Sequence, residues 1–152
     1  MIKSDDVYAD FQYIFHRVKN VSFSFPPEKC DLIDCNTEYD YDYFINEDAK
    51  DTHEGTITLI IRITDNENEI LMFAIEGFFI GNMEVLDKAE FVKFLEINGI
   101  TTLIQLSRSI ILSMTSNFGI NKSFKLPMIN VHRLNILKNN SLKQKENENK
   151  LK

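Results

Sequence analysis

Apolar and polar residues alternate along the first half of the chain and give way to a helical period in the second. In Phe11 to Phe15, and again in Val21 to Phe25, aromatic and aliphatic side chains recur at every second position, the period of a strand with one buried face. Arg17 and Lys19 interrupt that phase, which predicts one long strand with a bulge or twist near Arg17 to Asn20, ended by Pro26 and Pro27. A second strand is predicted from about Leu32 to Ile45. It carries Cys35, Thr37, Tyr39, Tyr41, Tyr43 and Ile45 on one face and Asn36, Glu38, Asp40 and Asp42 on the other. The stretch from Asn46 to Glu54 reads as a polar, acidic loop. A third strand, Thr56 to Thr64, puts Ile57, Leu59, Ile61 and Ile63 inward, and Asp65 to Asn68 have the residues of a tight hairpin turn. The fourth, Glu69 to Gly81, is apolar on both faces, as a central or interfacial strand is.

From Asp87 the period becomes helical. Asp87 is placed to cap a short helix bearing Phe91, Phe94 and Leu95, which Asn98 and Gly99 would end. A long helix follows from Thr101 or Thr102 to about Asn117. Its stripe is Leu103, Leu106, Ile110 and Met114, and Ile104, Ile111 and Phe118 widen it beyond what one sheet face needs. Gly119 stops it. Pro127 disfavours helix at Leu126, so residues from Ile120 to Asn130 are expected to be extended. A last, weaker helix is predicted from Val131, with Leu134 and Leu137 as its buried edge, dissolving into a polar tail over 138–152. The expected organisation is thus one domain over 1–137 and a solvated, frayed tail. The fold class is α+β: a four-stranded antiparallel sheet, a short helix, a long helix, a crossover loop and a C-terminal helix.

Composition narrows the class. The 152 residues are 43% hydrophobic and 26% charged, those of one ordinary globular domain, and no apolar run approaches the roughly 18 residues of a membrane span. The N-terminus has no apolar h-region and is acidic within a few residues, so the expected location is cytoplasmic. The net charge is −6, concentrated before Glu54, and the only lysine-rich stretch, Lys138 to Lys152, is interleaved with Glu146 and Glu148. No basic face for nucleic acid is apparent. The richness in Ile, Asn and Lys points to an AT-rich bacterial or phage genome.

Candidate chemistry is sparse. Glu38, Asp40 and Asp42 share one side of a strand, but calcium loops need a glycine-bearing turn and consecutive oxygen ligands, so a solvated face is the better reading. His16, His53 and His132 fall on separate elements without a ligand motif. Cys30 and Cys35 read as packing residues, Cys30 the more exposed. Phosphate-loop, nucleophile-elbow and dinucleotide motifs are all missing from the sequence. No catalytic residue, metal or cofactor is implied, and the expectation is a non-enzyme.

The order and spacing of several segments resemble the SecB family of export chaperones. Phe11-Gln12, then Lys19 to Phe23 and a proline pair, are similar to that family's first strand; Gly77-Phe78-Phe79 resembles its fourth-strand end. Phe94 to Ser116 resembles its main helix, with Arg108 at the characteristic arginine, and Leu126 to Val131 its crossover. Met128, Ile129 and Val131 depart from the usual crossover residues. The resemblance implies ATP-independent holding of unfolded polypeptides, a homotetramer, and a possible hand-over to the export ATPase SecA. A dedicated chaperone for one antitoxin or defence component is the alternative.

On this basis Tyr39, Tyr41, Tyr43, Phe124, Leu126 and Met128 are the expected client-binding groove, and Ile104, Ile111 and Phe118 the expected oligomer interface. Three tyrosines in a ladder suit a half-exposed aromatic surface, since each hydroxyl needs water or a partner. The resemblance also implies carboxylates flanking the first strand's Ser22-Phe23 segment for SecA docking. Asn20 and Ser24 stand there instead, which predicts weak or absent SecA binding.

Overall fold

The computed structural model describes residues 9–24, 35–65, 68–117 and 125–150, with side chains of the last helix through residue 144. Strands β1 (Phe11–Phe23), β2 (Asn36–Asn46), β3 (Thr52–Asp65) and β4 (Asn68–Asn82) form one antiparallel sheet in the order β1-β4-β3-β2. Strand β4 therefore pairs on both sides, as its two apolar faces predict. Its Leu71, Phe73, Ile75 and Phe79 join Ile57, Leu59, Ile61 and Ile63 of β3 in the core beneath the helices.

Two strands depart from the expected pattern. Strand β1 has the bulge near Val18 to Asn20 and a second between Tyr13 and Phe15. The second bulge switches the phase: Tyr13 lies level with Phe79 on the helix side, whereas Phe15 lies level with Phe78 on the outer face. Strand β3 begins at Thr52, so the acidic loop shrinks to 47–51. Pairing to two neighbours and an Asn46–Glu54 side-chain hydrogen bond of 2.8 Å hold this polar end in the sheet. Asn66 and Glu67 of the β3–β4 turn, with Cys30, Phe118 and Phe124, lie outside the described residues.

Asp87 caps α1 (Lys88–Phe94) reciprocally: Glu90 N–H donates to Asp87 Oδ1 at 2.8 Å and Asp87 N–H to Glu90 Oε2 at 3.2 Å. Asn98 and Gly99 do not end the helical path. A π-helical turn, Leu95–Gly99, carries it straight into α2 (Ile100–Asn117). The Thr101 and Thr102 hydroxyls donate to the carbonyls of Ile97 and Asn98, supporting backbone oxygens in the wide turn. Gly99 serves close approach rather than termination, because a Cβ there would stand 2.8 Å from Ile57 Cδ1. At the sheet end Gly81 does the same for Phe91, whose ring would lie 2.5 Å from an added Cβ.

The buried face of α2 is Ile100, Leu103, Ile104, Ser107, Ile111 and Thr115, while Leu106, Ile110 and Met114 are half-buried. The expected interface residues Ile104 and Ile111 are thus core residues of the protomer. Ser107 and Thr115 caused the misreading: their hydroxyls return to the Leu103 and Ile111 carbonyls at 2.7 and 2.8 Å, so small polar residues face the sheet. Beyond the crossover, Asn130 caps α3 (Val131–Lys150) by accepting the Arg133 N–H at 3.0 Å. Val131 and Leu134 pack against the core, and the helix continues to Lys150 through the stretch expected to be a tail.

Placing Ile111 in the core gives a direct test. Ile111→Ala should lower the unfolding free energy by about 2–5 kcal/mol in chemical denaturation, whereas an exposed position would change it by no more than about 0.5 kcal/mol.

Candidate functional site

Alternation along β2 sets Tyr39, Tyr41 and Tyr43 on the helix side of the sheet, level with Ile61, Leu59 and Ile57 of β3. Their exposure is graded. Tyr41 is 3% exposed and belongs to the core cluster, Tyr39 is half-buried against it, and Tyr43 is 39% exposed. From the crossover, Leu126 is buried in the same core, whereas Met128 is 86% exposed. The ladder is therefore a floor that passes from core to surface along one strand.

Burial leaves the phenols in an uneven electrostatic setting. Among the described residues, the buried hydroxyls of Tyr39 and Tyr41 find no hydrogen-bond partner. Burial, with the negative charges of Glu96 and Asp40 and the neighbouring Tyr43 phenol, pushes the Tyr41 phenol up to about 12. Burial also raises Tyr43, helped by Glu96 and Asp42, and raises Tyr39 against the opposing pull of Arg108.

Helix α3 meets this floor through Lys138, whose Nζ sits 5.7 Å from the Tyr41 ring centroid and 2.5 Å from Asp40 Oδ1. The same Asp40 oxygen accepts the Tyr41 N–H at 2.9 Å, and Asp42 Oδ1 accepts the Tyr43 N–H at 2.9 Å. Since β2 is the terminal strand, these carboxylates occupy donors along the sheet's edge. The acidic face is more than a solvated one. Sequence periodicity gave no sign of this, because a side chain bonding to the next residue's N–H leaves no spacing signature.

A second apolar surface was not singled out from the sequence. Phe94 stacks on Phe11 at 5.8 Å between centroids and, with Ile97, Glu90, Lys93 and Asn98, lines an open cleft of about 330 Å³. Phe94 and Ile97, three residues apart, share one face of the helical path. The histidines stay apart. His53 Nε2 lies 2.9 Å from the Leu86 carbonyl with its ring stacked on Phe91, His16 pairs with the Tyr13 hydroxyl, and His132 lies on α3. Among the described residues no group of His, Cys, Asp and Glu is arranged to hold a metal ion.

No protein-family model matches the sequence, and no curated protein matches it significantly. Among solved structures, the chain is similar to the Mycobacterium tuberculosis Rv1957 SecB-like chaperone in complex with a ChAD peptide from the Rv1956 HigA1 antitoxin. The match has a TM-score of 0.57 and 12% identity, covering 80% of this chain and 91% of that one. The fold is SecB-like. A protein of unknown function from Streptococcus agalactiae is also similar, with a TM-score of 0.49 and 9% identity over 80% of this chain and 100% of that one. The expected α+β class, a four-stranded antiparallel sheet followed by helices, is the observed one.

Within this SecB-like fold, Tyr39, Tyr41 and Leu126 come together at one floor, while Tyr43 and Met128 are the exposed members of the expected set. Tyr41 is a packing residue first, which corrects the expectation of an evenly accessible ladder. The reason is positional: its ring lies beneath Lys138 of α3, a helix whose path sequence composition did not reveal. Tyr41→Ala should therefore cost about 3–5 kcal/mol of stability. Tyr41→Phe, which removes an unpaired buried hydroxyl, should be neutral or stabilising. A phenol pKa raised in the folded state contributes stability that is present below about pH 10 and lost as pH rises toward 12. Tyr41→Phe should flatten that alkaline loss in thermal melts, and an unchanged alkaline limb would show that Tyr41 does not carry it.

Proposed function

We propose that the chain is an ATP-independent holding protein that captures extended apolar segments of non-native polypeptide. The observation that carries this reading is the SecB-like fold bearing exposed apolar side chains at the end of its tyrosine floor. Tyr43 provides contact area there and Met128 a further exposed side chain in the crossover, while Tyr41 and Leu126 are buried in the core below. An unbranched methionine adapts to many shapes, and burial of apolar client surface supplies attraction of about 25 cal/mol per Å². No nucleotide chemistry is required. No described helix is long and apolar enough to cross a membrane.

A second reading, a dedicated chaperone for one partner such as an antitoxin, is favoured by two observations. The solved SecB-like neighbour holds an antitoxin peptide. On this chain Asn20 faces outward level with Ala74, and the Ser24 N–H is bonded to the Ile70 carbonyl, so neither position offers the docking carboxylate that SecA coupling implies. In both readings the binding chemistry is the same and only the breadth of clients differs.

Capture of a permanently unfolded polypeptide tests the shared part. The double variant Tyr43→Ser with Met128→Ser should weaken capture about tenfold while leaving the melting midpoint within a degree or two, since both side chains are largely outside the core. Undiminished capture would remove these residues from the site. Titration calorimetry against the host's SecA separates the readings: affinity weaker than micromolar is expected, and submicromolar binding at physiological salt would restore general export.

A further inference from the structure

Strand β2, the terminal strand, repeats a two-residue unit along its outer edge. The Asp40 carboxylate accepts the N–H of Tyr41 at 2.9 Å, and the Asp42 carboxylate accepts that of Tyr43 at 2.9 Å. Each acid is thereby fixed beside the phenol that follows it. Alternation puts both rings on the helix side, about 6.8 Å apart along the strand. The first unit is filled by the chain itself: Lys138 comes over from α3, its Nζ 5.7 Å from the Tyr41 ring centroid and bonded to Asp40 Oδ1. The Tyr41 hydroxyl is buried without a partner, so this unit holds its cation through ring and carboxylate alone. The Asp42-Tyr43 unit has the same two components, and among the described residues no cation sits on it. It lies open, with Asp42 exposed and Tyr43 39% exposed.

The π-helical turn adds a third component to the open unit. A Cβ on Gly55 would stand 3.0 Å from Leu95 Cδ2, and Gly55 is level with Ile45, two residues past Tyr43. Gly99 closes on Ile57, which is level with Tyr43 itself. Glu96, half-buried in the turn between these two anchors, therefore lies at the Tyr43 end of the ladder, and its charge acts on the Tyr43 and Tyr41 phenols. Asp40, Asp42 and Glu96 bring three carboxylates to two rings, and Lys138 is the one cation that answers them among the described residues. A half-buried carboxylate without a counterion is costly, and an arriving cation relieves it. A free ion would be held weakly here, because solvent screens an exposed contact. A cationic side chain on a segment already held by its apolar neighbours meets the unit as an intramolecular partner and loses less freedom. Ile45, half-buried on the same face, continues the apolar surface beside Tyr43 for such a segment.

We propose that Tyr43, Asp42 and Glu96 form a subsite for one lysine or arginine side chain of the captured polypeptide, which lies over β2 as Lys138 does one unit away. The proposal rests on the holding function inferred above and names a charge pattern for its clients: an extended apolar segment with a cation beside it.

Short labelled peptides of one apolar sequence, with lysine, norleucine or glutamate at a single central position, test this by fluorescence anisotropy. The unaltered chain should bind the lysine peptide about five- to tenfold more tightly than the norleucine peptide, and the glutamate peptide least. Glu96→Gln and Asp42→Asn should each reduce the lysine preference to about twofold or less. In Asp42→Asn the new amide oxygen can still accept the Tyr43 N–H, so the strand edge is kept. Glu96→Lys should reverse the order in favour of glutamate. Equal binding of the three peptides by the unaltered chain, or a lysine preference that survives both charge removals, overturns the subsite and leaves the holding function standing. Binding of none of the peptides overturns both. Should Glu96→Lys fail to fold, Asp42→Asn on the exposed edge carries the decision.

Discussion

A central strand that is apolar on both faces needs two covers, and most features of this chain follow from how β4 obtains them. Its odd-numbered residues Leu71, Phe73, Ile75 and Phe79 are closed off by α1, the π-helical turn and α2. That cover must come very near the strands, because apolar contact is lost within an ångström of separation. Gly81 admits Phe91, Gly99 admits the wide turn over Ile57, and Ser107 and Thr115 replace larger residues where α2 rides on the sheet. Among the described residues no helix packs on the even-numbered face, which carries Phe78. The one-sided layer is thus a constraint on the whole molecule, and the outer face inherits what the helices do not cover.

The edges of the sheet are handled differently from its faces. Strand β2 turns two of its own carboxylates onto backbone donors and receives Lys138 from α3, which blunts it against strand addition. Strand β1 is broken by two bulges, and Lys19 at the second sends its ammonium to Glu76. Neither edge is a flat ladder of free groups.

The sequence disclosed the elements more fully than their facing. Four strands, the Asp87 cap and the long helix were legible because period-2 and period-3.6 patterns and a capping residue are local properties. What escaped was long-range or compensated. Gly99 looked like a stop because glycine marks both helix ends and close approach, and only the position of Ile57 tells them apart. Ile104 and Ile111 looked surplus because Ser107 and Thr115 satisfy their hydroxyls within the helix and so act as small core residues. The alternation that puts Tyr39, Tyr41 and Tyr43 on one face was readable, but the burial of Tyr41 was not, since it comes from packing into a core assembled from distant segments. Phe94 was legible as an apolar residue of the short helix, but its place in a surface cleft was not.

Exposed phenylalanines on an outer strand face are costly for a chain that binds apolar polypeptide, because the same attraction invites indiscriminate aggregation. Phe15 and Phe44 stand at opposite ends of one row, each within two residues along its strand of a charged side chain, Arg17 and Asp42. An apolar patch framed by opposite charges at its two ends discriminates among partners. A partner that sets apolar surface against these charges would leave a carboxylate or guanidinium unpaired, at a cost of several kcal/mol. On the helix side Tyr43 stands at the exposed end of the tyrosine ladder, and the exposed Met128 of the crossover adds an adaptable thioether.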